Sequence, residues 1–221
     1  MKRSSKSRLT EKQMDGFPGD TVFDKIARAV CRAGTLPVKE LYEAWESARR
    51  IRRKFRGGRV MDLAGGHGLL AHILLVLDDT SKEALVVDVD VPKNAGRLSE
   101  SVIQAWPRLT GRIHYMEAPI ADFEIRPDDL VVSVHACGIL TDTVLKLAVD
   151  ARARVAVLPC CHDLNLPSTG GLEGWVNGPL AVDVMRATWL RQQGYTVITR
   201  TIPEDITPKN RLLMGYPEAV G

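Results

Sequence analysis

The sequence predicts an α/β protein with a mostly parallel seven-stranded sheet, helices on both faces and an antiparallel hairpin at the C-terminal end. Three observations carry that expectation. From about residue 58, short apolar runs alternate with helix-length segments, the pattern of successive βαβ units. Within 59–68, the run Val60-Met61-Asp62-Leu63 meets the small-residue cluster Ala64-Gly65-Gly66-His67-Gly68, and 69–77 then reads as a helix with little polar surface. That is a strand, a tight turn and a buried helix. The last two strand-like runs, 195–199 and 211–216, have no helix between them, which makes them a hairpin.

Residues 1–20 are polar, basic and rich in Ser, Lys, Gly and Pro, which predicts a loose leader. Over 21–33, Val22, Phe23, Ile26, Ala29 and Val30 recur at helical spacing. Gly34 ends that helix and Pro37 opens the next. Leu36, Val38, Leu41, Trp45 and Ala48 give the second helix its apolar face, and it runs into the basic stretch 49–56. Two helices ahead of the first strand are expected to form a lid over the sheet's ligand edge. Further strands are expected at 84–90, 112–116, 130–134 and 155–158. Helices are expected at 93–105, from Thr141 as N-cap through 149, and at 179–193, with a Gly- and Pro-containing loop at 164–178. The division is a basic leader with helical lid over 1–57 and a catalytic domain over 58–221.

With 45% hydrophobic and 26% charged residues, the composition is that of an ordinary globular chain. No apolar run reaches the length of a membrane span, and the N-terminus lacks a signal peptide's apolar stretch. Four cysteines, two of them adjacent, are a poor disulfide framework. A reduced, cytoplasmic protein with no membrane partner is expected. The net charge of +3 is unevenly spread: residues 1–59 hold 16 Lys or Arg against 7 Asp or Glu. A basic leader on an acidic body points to RNA as a partner of the N-terminal region.

The glycine turn reads as the floor of a nucleotide-like cofactor site. Glycines permit positive φ and close approach of backbone N–H groups, and the helix start adds partial positive charge. Gly66-His67-Gly68-Leu69-Leu70-Ala71 fits the G-x-G-x-x-G/A dinucleotide fingerprint. Asp62-x-Ala64-x-Gly66-x-Gly68 is similar instead to the S-adenosylmethionine methyltransferase motif, with Ala64 in place of the first glycine. Asp62 separates the two. Its carboxylate repels a pyrophosphate but suits the cationic amino group of a methionine moiety. The predicted Rossmann-like sheet, seven strands ending in a hairpin, also matches class I methyltransferases better than a dinucleotide dehydrogenase. That resemblance implies an acid at the end of the second strand holding the ribose hydroxyls, with Asp90 first by spacing and Asp88 second. Gly65 and Ile120 are counted with them as cofactor contacts.

Strands four and five end in His135-Ala136-Cys137-Gly138 and Cys160-Cys161-His162-Asp163, which neighbouring strands would bring to one edge. Thiolate and imidazole suit zinc, but adjacent Cys160 and Cys161 lack the two-residue spacer that lets both sulfurs face one ion. No metal is assigned on that ground. Buried structural cysteines and a substrate or catalytic site are the other readings. The segment 135–142, with Thr141-Asp142 closing it, followed by Leu158-Pro159-Cys160-Cys161-His162, resembles a signature shared by two groups. They are the eukaryotic tRNA ribose methyltransferases of the acceptor stem and a set of methyltransferase-like proteins. The resemblance spans about 58–163 and implies dependence on S-adenosylmethionine, with a substrate pocket at the Cys-Cys-His segment. The tRNA enzymes carry N-terminal zinc-binding modules, and a leader region with Cys31 alone cannot supply one.

Methyl transfer is an in-line displacement, so alignment supplies much of the catalysis. For an oxygen nucleophile, a base of near-neutral pKa helps. His162 is the first candidate base and His135 the second, with His135 also a candidate cofactor contact. Cys160 and Cys161 complete the catalytic set, shaping the pocket or carrying a methyl as thiolate. The expected function is an S-adenosylmethionine-dependent methyltransferase acting on RNA, with a tRNA ribose 2′-O as one target. The alternatives are a small-molecule or protein methyltransferase, a non-catalytic cofactor- and RNA-binding module, and an NAD-dependent oxidoreductase.

Overall fold

In the computed structural model, residues 1–162, 164, 169–172 and 174–219 are described. Asp163 of the second cluster and residues 165–168 and 173 of the expected 164–178 loop lie outside them. The strands are β1 (Val60–Leu63), β2 (Ala84–Asp88), β3 (Ile113–Glu117), β4 (Leu130–Ser133), β5 (Arg154–Val157), β6 (Tyr195–Thr201) and β7 (Arg211–Pro217). They form one sheet in the order β3-β2-β1-β4-β5-β7-β6. β1 to β5 are parallel, and β7 inserts antiparallel between β5 and β6. The order turns back between β1 and β4, and the crevice outside their carboxyl ends is where such sheets bind ligands.

All four residues of β1 and all four of β4 are buried, as expected for central parallel strands covered on both faces. Their side chains alternate between two cores. Val60, Leu130 and Val132 face one side with α1 (Val22–Ala33), α2 (Val38–Arg52), α3 (Leu69–Leu77) and α4 (Ala95–Ala105). Met61, Leu63 and Val131 face the other, with α5 (Ile139–Asp150) and α6 (Gly178–Gln192). The Thr21 side chain caps α1 by accepting from Asp24 N–H, and Gly34 closes it at φ 65°. Among the described residues, no helix is long and apolar enough to cross a membrane.

Three expectations are corrected. The first 20 residues are not a loose leader: Leu9 and Phe17 are buried in the core. Leu9 N–H donates to Leu36 C=O at 2.9 Å and Val38 N–H to Ser7 C=O at 3.0 Å. Arg28 donates to Phe17 C=O and to Gly19 C=O. Two apolar anchors in a polar stretch are enough to fix the chain, and average composition hides them. Second, Thr141 does not cap α5. Gly138 holds that position, and the Thr141 hydroxyl turns back to Ala136 C=O at 2.7 Å. Third, β2 ends at Asp88, leaving Asp90 exposed two residues beyond it.

The basic stretch 49–56 runs down to the amino edge of the sheet. Arg154, which opens β5, donates to Arg56 C=O at 2.6 Å and Gly57 C=O at 3.1 Å. Arg52 is buried, pairs with Asp78 at 3.1 Å and donates to Leu74 C=O and to the Ser81 hydroxyl. Burial pulls its guanidinium down to about 10. The Asp78 carboxyl, raised by burial but bonded by Thr80 and Gly57 N–H and paired with Arg52, still sits near 2. Arg49 and Arg50 pair with Glu46. This part of the stretch braces α2 against the sheet.

Candidate active site

Between β1 and α3 the chain must reverse in five residues, and three of them take positive φ: Ala64 at 55°, Gly66 at 52° and Gly68 at 72°. Ala64 is the costly one, because an L side chain in the left-handed region is strained. Gly65 answers to space instead. A Cβ there would lie 2.8 Å from Val86 Cγ1 and 2.9 Å from Asp62 Cγ. The Tyr115 hydroxyl donates to His67 C=O at 2.9 Å, and His67 Nε2 meets Asn94 Oδ1 at 2.9 Å, which locks the turn.

Asp62 lies beneath this turn, 2% exposed, with Oδ2 accepting Ala71 N–H from the first turn of α3 at 3.1 Å. Among the described residues no cation pairs with it. Burial therefore raises its carboxyl to about 7, with the Ala71 bond lowering it and Asp88 raising it by smaller amounts. Asp62, Ala64, Gly65 and His67 line a narrow cleft with Leu69 and Leu70, and Val134 and His135 form its far wall. Glu40 and Ala44 on α2, with Leu36 just ahead of the helix, line it as well. The second helix was expected near the ligand edge, but none of these three was singled out as a site residue, because they lie some twenty positions ahead of the glycine turn and carry no motif of their own.

Asp88 Oδ2 accepts Gly66 N–H at 2.9 Å and Oδ1 accepts Asp90 N–H at 3.3 Å. Asp88 thus faces the turn directly, whereas Asp90 is exposed beside it. Ile120 is 6% exposed and packs with Met61, Leu63 and Val87 in the core on the α5 side; it does not line the cleft.

The two strand-end clusters do meet. Gly138 N–H donates to Cys161 C=O at 3.2 Å. Cys137 Sγ lies 2.9 Å from Cys160 Sγ, which lies 3.8 Å from Cys161 Sγ. The expectation that adjacent cysteines turn their sulfurs apart fails here, since the segment after β5 has left the strand and its alternation. Lys209, in the β6–β7 connection, approaches Cys161 Sγ at 3.7 Å. Burial raises the Cys160 thiol, while the contact with Cys137 and the Lys209 ammonium lower that of Cys161.

The two histidines are treated differently by the fold. His135 is exposed on the cleft wall. The His162 side chain is 2% exposed, with Nε2 at 2.7 Å from Asp183 Oδ1. Asp183 also holds Arg211 at 2.7 Å, and Arg186 joins it to Asp142. Desolvation raises the Asp183 carboxyl, but the bonds from His162 and Arg211 outweigh it and bring it below its ordinary range. No motif announced Asp183. A larger groove of about 560 Å³ lies between α6 and the β6–β7 hairpin. Its lining comes from those three elements alone, so it holds neither the glycine turn nor the strand-end acids.

The model of a family described as "Methyltransferase domain" matches residues 37–165. The glutathione S-transferase C-terminal domain-containing protein homolog of Drosophila melanogaster is 28% identical over 205 residues, covering 72% of this chain and 33% of its own. The glutathione S-transferase C-terminal domain-containing protein of Xenopus laevis is 24% identical over 201 residues, covering 73% and 31%. The chain spans about a third of the length of these curated relatives. Among solved structures, an O-methyltransferase family protein from Burkholderia thailandensis superposes with a TM-score of 0.54 at 19% identity, over 97% of this chain and 65% of that one. The S-adenosylmethionine-dependent methyltransferase SibL in its apo form gives 0.53 at 18%, over 96% and 66%. Ribosomal protein L11 methylase from Lactobacillus delbrueckii subsp. bulgaricus gives 0.50 at 14%, over 80% and 77%. At these identities the likeness is one of fold.

Proposed function

The chain belongs to the methyltransferase-domain family, whose methyl donor is S-adenosylmethionine, and from that premise we propose that it methylates RNA at the carboxyl edge of β1 and β4. The observation that carries the reading is Asp62, a buried carboxylate with no cationic partner among the described residues, on the floor of a cleft walled by His135. Such a group is uncompensated until a cation arrives, and the ammonium of S-adenosylmethionine is one. Gly65 lets the turn close tightly over Asp62 and Val86, where a Cβ would not fit, and Asp88 with Asp90 offers carboxylate oxygens to ribose hydroxyls. Bound S-adenosylmethionine supplies an electrophilic methyl group on a sulfonium.

His135 is the residue we assign to accept the nucleophile's proton, because it is exposed at the cleft. His162, buried against Asp183, acts as a positioning residue that holds the segment after β5. Cys160 and Cys161 line the acceptor side. RNA is favoured by charge. Lys2, Lys6 and Arg8 are exposed on a leader whose backbone runs along residues 36–39 at the cleft's rim. Arg3 pairs with Asp205 in the connection from β6 to β7, on the same edge of the sheet.

Transfer of labelled methyl from S-adenosylmethionine to an RNA pool tests the reading. His135→Ala is expected to lower turnover by about 10²- to 10⁴-fold with cofactor affinity unchanged. His162→Ala is expected to leave the pH profile of turnover where it was. Label appearing in protein or small molecules but not in RNA removes the substrate assignment, and full turnover by the His135 variant removes it from the mechanism.

A further inference from the structure

We propose that Cys137, Cys160 and Cys161 form a binding site for a thiophilic metal cation, zinc(II) first among them, at the carboxyl ends of β4 and β5. One ligand atom from each residue lies within 4.8 Å of the other two. All three cysteines are free thiols. Zinc–thiolate bonds of about 2.3 Å put ligand sulfurs about 3.8 Å apart in a tetrahedral site. The Cys160–Cys161 pair already stands at 3.8 Å. The Cys137–Cys160 pair, at 2.9 Å, has to open by about 1 Å. Cys137 is exposed, so a small rotation of its side chain suffices.

Chemistry and charge agree with the geometry. Thiolate sulfur selects zinc or copper(I) over hard cations. Each thiol gives its proton to solvent as its sulfur–metal bond forms, so three thiolates and Zn²⁺ leave one net negative charge. The Lys209 ammonium, 3.7 Å from Cys161 Sγ, balances it. The backbone is held for the purpose, because Gly138 N–H ties the first cysteine segment to Cys161 C=O. With Cys137 and Cys161 both exposed, a fourth position faces water, the arrangement of an open zinc site. The site does not depend on the methyl-transfer reading, since its ligands are fixed by the β4 and β5 ends alone.

Cobalt(II) is the probe. The full chain, stripped with a chelator and kept in a non-thiol reductant, is titrated with cobalt and then with zinc. The expected result is one equivalent of cobalt with sulfur-to-cobalt charge-transfer absorption, displaced by zinc. That absorption should drop by about a third in each of C137S, C160S and C161S, as three thiolate ligands require. Cys137 and Cys161 lie at the surface, so their serine variants keep the fold and the count of ligands stays readable. Three results would each overturn the proposal: no charge-transfer absorption, absorption equal in wild type and all variants, or a metal-free Cys137–Cys160 disulfide persisting under reductant.

Discussion

Asp62 ties the chemistry of the site to a measurable proton. Its folded carboxyl stands near 7, above the ordinary value of 3.8, because burial disfavours the charge. The folded protein therefore binds this proton more tightly than the unfolded chain. Its contribution to stability is full below about pH 4 and is lost as pH rises through 7. Asp62→Asn should gain stability relative to wild type across that window, seen in denaturant unfolding at pH 5 and pH 8. Cofactor affinity should run the other way. It should rise from pH 5 to about 7 as Asp62 ionises, then fall above about 7.7 as the ligand's own ammonium loses its proton. In Asp62→Asn the rising limb should vanish and affinity drop by about 10- to 100-fold, the worth of a charged hydrogen bond. A wild-type affinity flat from pH 5 to 7 would contradict the pairing. Asp62 was legible from sequence because an acid before a glycine turn has few other uses. That Ala64 takes a positive φ there was not, since alanine gives no sign of the left-handed region.

Among elements, the N-terminal segment departs furthest from its sequence. Composition read 1–20 as loose, yet Leu9 and Phe17 anchor it, and the backbone of 5–9 lies along 36–39. Isolated anchors of this kind have no periodicity to betray them. The stretch 49–56 is placed by its neighbours in the chain. Its last residues lie just before β1, and Arg154 holds Arg56 and Gly57 at the amino edge, away from the ligand crevice. RNA binding should therefore depend on the leader. Replacing Lys2, Lys6 and Arg8 with Ala should weaken RNA retention and flatten the dependence of log affinity on log salt by about 2 to 3. Arg53 and Lys54, exposed near the amino edge, should change neither when replaced. A filter-binding series over several salt concentrations separates the two. Equal effects from both sets would remove the leader from the interface.

At the level of the whole molecule, the sheet was readable because parallel strands buried on both faces leave apolar runs that turn residues punctuate. The adjacency of β4 and β5, and the meeting of the His135 and Cys160 segments, followed from that alternation. The different settings of the two histidines, one exposed and one buried, did not follow. They depend on Asp183, which reaches His162 from a helix 21 residues further on and carries no motif. Leu36, Glu40 and Ala44 were not picked out individually for the same reason: their place at the cleft is set by packing between elements distant in the chain. One architecture thus brings a buried carboxylate, an exposed histidine and a thiol cluster to a single edge. The most direct measurement is calorimetric titration of the full chain with S-adenosylmethionine, S-adenosylhomocysteine and NAD in parallel, for wild type and for Asp88→Ala and Asp90→Ala. Binding of the first two in the micromolar range, weakened when the strand-end acids are removed, is the expected result. Binding of NAD alone, or of none of the three, would contradict a cofactor site built on Asp62.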